Sequence, residues 1–141
     1  MNAAELKAID LLAEFGDEDR EALAELLEEQ NVAKGRRLFS EGEESEDLVL
    51  VLEGRVRLEL RGGAVLGLLP AGSALGGVSL VAFGKRATAA FCEEPCRVAR
   101  LDRSGYRRLA DDYPRTACRL VEALFKTLAD DVRESLEDAS L

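Results

Sequence analysis

A chain of 141 residues, 47% of them hydrophobic, is long enough to bury one core and too short for two ordinary domains. Its net charge of −9 is concentrated at one end: residues 1–47 hold fifteen acids against five bases, the remainder thirteen against fourteen. This balance repels a polyanion and excludes non-specific nucleic-acid binding, and no run approaches the roughly 18 apolar residues of a membrane span. The N-terminus lacks the basic start and unbroken apolar stretch of a signal peptide, so a cytoplasmic protein is expected. Three scattered cysteines, Cys92, Cys96 and Cys118, are no disulfide framework. With no histidine in the chain they do not assemble a zinc site either.

In chain order, residues 3–15 read as a short helical piece with Leu6, Ile9 and either Leu12 or Ala13 on one side. Residues 17–29 read as an amphipathic helix, with Asp17 as cap and Ala22, Leu23, Leu26 and Leu27 at helical spacing. The period is lost from Asn31 to Arg37, around Gly35. Short apolar runs punctuated by glycine follow at 48–52, 56–60, 64–69 and 97–101, and read as strands. Gly62 and Gly63 mark a tight hairpin between two of them, while Gly42, Gly54 and Gly72 fall at other junctions. The middle of the chain is therefore expected to be an antiparallel barrel or jelly roll.

Helical periodicity returns at 103–110 and again in a long segment opened by Pro114. On that segment Ala117, Val121, Leu124, Phe125, Leu128, Val132 and Leu136 form one stripe. It either packs wholly on the barrel or meets a second copy, which makes Val121, Leu124, Phe125, Leu128 and Val132 candidates for self-association. The predicted organisation is one α+β domain over 1–141. An antiparallel jelly roll (double-stranded β-helix) over 36–101 is flanked by helices at 3–30 and 103–138.

Two motifs sharpen this outline. Gly42-Glu43-Glu44-Ser45-Glu46-Asp47, the run 48–52 and Glu53-Gly54-Arg55-Val56 follow a glycine-spaced pattern. Leu75-Gly76-Gly77-Val78-Ser79-Leu80, a variable stretch 81–85, and Arg86-Ala87-Thr88-Ala89-Ala90 follow another. Together they resemble the cyclic-nucleotide-binding domain family, over roughly residues 12–136.

The resemblance implies that the second motif is a phosphate-binding cassette. In it, Arg86 would pair with a cyclic phosphate and the backbone amides of Val78, Ser79 and Leu80 would donate to the same anion, with Gly76, Gly77 and Ala87 completing the cassette. The family's glutamate, nine residues before the arginine, accepts a hydrogen bond from the ribose 2′-hydroxyl. Gly77 stands in its place. Losing a charged hydrogen bond costs about 1.5–3 kcal/mol, or roughly ten- to over a hundredfold in affinity. Alternatively, Arg86 pairs with a local carboxylate, and Thr88 is a half-buried strand residue.

No enzyme is expected. Zero histidines remove metal-hydrolase ligand sets and most general-base schemes, and the adjacent pairs Glu93-Glu94 and Asp111-Asp112 read as turn and cap residues. The cysteines read as buried structural thiols. The expected function is a stand-alone regulatory module that binds a partner protein or itself, without contact to nucleic acid or membrane. No cofactor is certain, and a cyclic nucleotide is the candidate ligand. A true sensor of cyclic mono- or dinucleotides and a protomer of a larger homo-oligomer are the alternatives. No helix-turn-helix follows the long terminal helix, so direct transcriptional control is not expected.

Overall fold

Leu6, Ile9 and Leu12 recur every third residue, the period of a 3-10 helix. In the computed structural model, which describes residues 1–80 and 84–139, they lie on two 3-10 turns, Ala3–Ala8 and Asp10–Leu12, separated by an extended Ile9. All three are buried and Ala13 is exposed, so Leu12 completes the stripe. Helix α1 spans Asp17–Leu26. Gly16, not Asp17, is its cap, and Asp19 Oδ2 accepts the Gly16 N–H at 3.1 Å.

The first helical region is shorter than the sequence reading, which carried it to residue 30. Leu27 is already extended, and Glu28–Val32 form strand β1. Glu, Leu and Gln favour helix locally, but the exposed face of this strand is held by its neighbour. Glu29 and Gln30 accept hydrogen bonds from Arg97 Nη1 at 2.6 Å and Arg100 Nε at 3.1 Å. Tertiary pairing overrides local propensity here, and the β region begins at residue 28 rather than 36.

The remaining strands are β2 (Arg37–Phe39), β3 (Asp47–Glu53), β4 (Val56–Glu59), β5 (Val65–Leu69), β6 (Ala74–Leu75), β7 (Ala89–Cys92) and β8 (Cys96–Asp102). They form two four-stranded sheets, ordered β1-β8-β3-β6 and β2-β7-β4-β5, and every described pairing is antiparallel. This is the expected jelly roll. The sequence reading found β3, β4, β5 and β8 within two residues but gave no span to β1, β2, β6 or β7, which are short or polar. Gly62 and Gly63, both at positive φ, turn β4 into β5.

Strand β3 explains how the core divides, because its successive side chains point to opposite faces. Leu48 and Leu50 join Leu6, Leu12, Leu23, Leu101, Leu109 and Leu120 in a core between the first sheet and the helices. Val49 and Val51 face Val56, Ala90, Cys92 and Val98 between the two sheets. Helices α2 (Arg103–Asp112) and α3 (Pro114–Ala139) close the molecule. The α3 stripe is split along its length: Ala117 is buried, Val121 and Leu124 are half-buried, and Phe125, Leu128, Val132 and Leu136 are exposed. Its first turns enter the core, and Leu124, Thr127, Leu128 and Asp131 border a cavity beside Arg86.

Candidate functional site

The loop before β7 is tied to the turn before β3 by three backbone hydrogen bonds. Arg86 N–H donates to the Glu43 carbonyl (2.8 Å), Gly42 N–H to the Arg86 carbonyl (2.9 Å) and Ser45 N–H to the Gly84 carbonyl (2.9 Å). The two sequence motifs thus meet in space. The Arg86 side chain is 5% exposed. Its Nη2 donates to Asp47 Oδ1 at 2.6 Å and to the Asp47 carbonyl at 3.1 Å, and its guanidinium lies 4.1 Å from the Phe39 ring centroid. Arg86 thus pairs with a local carboxylate, Asp47.

Asp47 holds a second cation on its other oxygen, Arg100 Nη1 at 3.0 Å, and Arg100 Nη2 donates to the Leu38 carbonyl. Burial pushes the Arg86 guanidinium below an arginine's ordinary pKa, Asp47 pulls it back up, and Arg100 opposes that; an arginine remains charged throughout. Nη2 alone is satisfied. Nε and Nη1 of Arg86 are buried and have no hydrogen-bond acceptor among the described residues.

Beside Arg86 lies a cavity of about 400 Å³. Its walls are mainly Phe39, Leu48, Leu58, Leu75, Leu124 and Leu128, with Ser45, Lys85, Arg86, Thr88, Thr127 and Asp131 as its charged and hydroxyl groups. Gly76, Gly77 and Ala87 line it as well. Val78 and Ser79 follow in a 3-10 turn, Gly77–Leu80, whereas Leu80 is buried in the helix-side core. Of the variable stretch, residues 81–83 lie outside the described residues.

Two adjacent glycines serve different ends. Gly76 has φ +76°, and a Cβ there would overlap Arg86 Nη1 and come within 3.0 Å of the Asp47 carbonyl. Gly77 has an ordinary φ, but a Cβ there would overlap Leu124 Cδ2. Leu124, from α3, therefore occupies the direction in which any side chain at position 77 would leave the backbone. The sequence reading singled out Gly77 and, separately, Leu124, and had no signal that they touch. It also gave Asp47 no role, although that residue sits in the first motif.

The cysteines divide. Cys92 and Cys96 are buried and Cys118 is exposed, which corrects the expectation that all three are buried. Burial and the neighbouring Cys96 push the Cys92 thiol up to about 12, so it is no nucleophile at neutral pH. Glu93 pairs with Arg57, and Glu94 with Arg55 at 3.4 Å, as ordinary turn residues.

Residues 29–113 match the family model of the cyclic nucleotide-binding domain. The chain belongs to this family. A cAMP-dependent protein kinase regulatory subunit from Eremothecium gossypii is 32% identical over 104 residues, covering 74% of this chain and 23% of that protein. The chain thus spans about a quarter of that curated relative. The catabolite activator protein of Thermus thermophilus matches with a TM-score of 0.80 at 26% identity, over 92% of this chain and 61% of that one. A cyclic nucleotide-binding domain from Methylobacillus flagellatus has the same fold, with a TM-score of 0.81 at 21% identity over 96% and 79% of the two chains.

Proposed function

We propose that this chain is a non-enzymatic regulatory module of cyclic-nucleotide-binding type whose own affinity for ordinary cyclic nucleotides is impaired, and which acts through protein contact. One observation carries the reading: Leu124 stands over Gly77, where the family's pattern has a carboxylate. A ribose hydroxyl brought there meets hydrocarbon in place of an acceptor, and a buried polar group left unpaired costs about 1–3 kcal/mol. The regulatory relatives support the class of function. A cytoplasmic setting belongs to the proposal and is supported by free buried thiols. No helix among the described residues is long and apolar enough to cross a membrane.

The test is calorimetric titration with cAMP, cGMP and a cyclic dinucleotide. No saturation below about 100 μM is expected, following the loss of one charged hydrogen bond or more from a low-micromolar site. Low-micromolar binding that Arg86→Ala abolishes overturns the reading and makes the chain a true sensor.

A second reading, self-association, is favoured by the outer half of α3. Phe125 is 70% exposed and Leu128, Val132 and Leu136 continue its face at the i, i+3, i+4 spacing of a helix–helix seam. The two readings are compatible, since the contact made by a regulatory module can be with its own twin.

A further inference from the structure

We propose that the cavity beside Arg86 takes an amphipathic organic carboxylate, its acidic head on the Arg86 guanidinium and its apolar body among Leu58, Leu75, Leu124 and Leu128. The inference rests on the reading that ordinary cyclic nucleotides bind poorly, and names what this pocket suits in their place.

Two independent features define the ligand. The first is the cation. Arg86 is 95% buried by its side-chain exposure of 5%, yet Nε and Nη1 find no acceptor among the described residues. Buried donors of this kind are costly unless something accepts from them. Nη1 lies against Gly76, which lines the cavity, and the missing Cβ at that glycine keeps the guanidinium at the cavity wall. Asp47 does not cancel this charge, because Arg100 shares its carboxylate. Lys85 adds a further cation to the wall. The opposing acids are Asp131, on the α3 side of the cavity, and Glu43, Glu44 and Glu46 on the far side of Arg86, where Glu43 Oε2 accepts the Ser40 N–H at 3.1 Å.

The second feature is the rest of the wall. At the end where the family pattern has a glutamate, Leu124 presents methyl groups. The hydroxyls on the wall are those of Ser45, Thr88 and Thr127, and Thr127 Oγ1 already donates to the Ala123 carbonyl at 3.1 Å. A cavity of about 400 Å³ falls at the small-ligand end of the usual range of roughly 300–1,000 Å³. A cationic anchor, largely apolar walls and hydrocarbon at the Gly77 end describe a hydrocarbon acid better than a nucleotide.

The experiment compares decanoate, decan-1-ol and cAMP by calorimetry on the intact chain, below the micellar concentration of decanoate. Decanoate is expected to bind once per chain, at least about tenfold more tightly than decan-1-ol, the size of one charge-assisted contact. The net charge of −9 opposes any anion at long range, so a preference for the acid over the alcohol reports a local cation. Arg86→Gln should erase the preference. Thr127→Glu, at an exposed helical position on the cavity wall, should weaken decanoate about tenfold and leave decan-1-ol unchanged. It carries the test if Arg86→Gln does not fold.

Absence of decanoate binding, equal affinity for the alcohol, or indifference of the preference to Thr127→Glu overturns the inference while leaving the impaired-nucleotide reading standing. Low-micromolar cAMP binding overturns that reading instead, whatever decanoate does, and removes the ground on which the carboxylate assignment rests.

Discussion

Gly76 and Gly77 are neighbours with opposite tolerances. Alanine at Gly76 must adopt a left-handed φ, at about 1–2 kcal/mol, and must also displace Arg86 Nη1 and crowd the Asp47 carbonyl. Gly76→Ala is expected to destabilise by about 2–4 kcal/mol in chemical denaturation, within the range of strained and buried-network substitutions. Alanine at Gly77 meets only the far end of the Leu124 side chain, which can turn to another rotamer for about 1 kcal/mol. A double-mutant cycle of Gly77→Ala with Leu124→Ala should therefore show a coupling of about 1 kcal/mol, since the smaller partner removes the overlap. A coupling of zero would separate Leu124 from position 77. That Gly77 and Arg86 lie together was legible in the sequence because they belong to one short motif, and both line the same cavity. The Leu124 contact was not, because it joins residues 47 positions apart through the packing of a terminal helix.

At the scale of elements, α3 is fastened to α1 by a buried carboxylate. Asp19 accepts from Thr116 Oγ1 at 2.6 Å, from Arg119 Nη1 at 2.5 Å and from the Gly16 N–H. Burial alone would raise its pKa, but these donors outweigh burial and hold it below the usual carboxylate value. The stabilisation is thus complete above the unfolded value, near 3.9. It is lost as pH falls through the lower folded value. Denaturation between pH 6 and pH 3 should show stability falling more steeply in the wild-type chain than in Asp19→Asn, which starts less stable and lacks this proton uptake. Parallel curves would assign the acid sensitivity elsewhere.

The same scale shows why β1 was misread. Helix formers fill 17–30, and only the pairing of Glu28–Val32 with β8, invisible to local propensity, turns the last of them into a strand. Strand β3, apolar on both faces, was legible for the converse reason: a residue buried between helices and sheet must be hydrophobic whichever way it points.

For the whole molecule, the question is what covers the outer half of α3. Its first turns are anchored by Ala117 and Leu120 in the core, whereas Phe125, Val132 and Leu136 are largely exposed and Leu128, which borders the cavity, is half so. Strand β5 adds exposed Val65, Leu66 and Leu68, and the residue after β4 adds exposed Leu60. Apolar patches of this extent mark interaction surfaces, and a helix that protrudes with a continuous seam is suited to a second copy. Sedimentation equilibrium of the wild-type chain is expected to give a dimer, and Phe125→Asp a monomer. The unfolding free energy of that monomer, measured where the wild type is also dissociated, should match the wild type to within about 0.5 kcal/mol, because Phe125 is 70% exposed and outside the domain's own core. A wild-type chain that stays monomeric at high concentration would leave the seam for a different protein. Because Leu124 lies on the same helix as Phe125 and reaches Gly77 in the cavity, anything that shifts α3 on dimerisation also reshapes the ligand site. The dimer and the Phe125→Asp monomer should accordingly differ in their affinity for any ligand of that cavity.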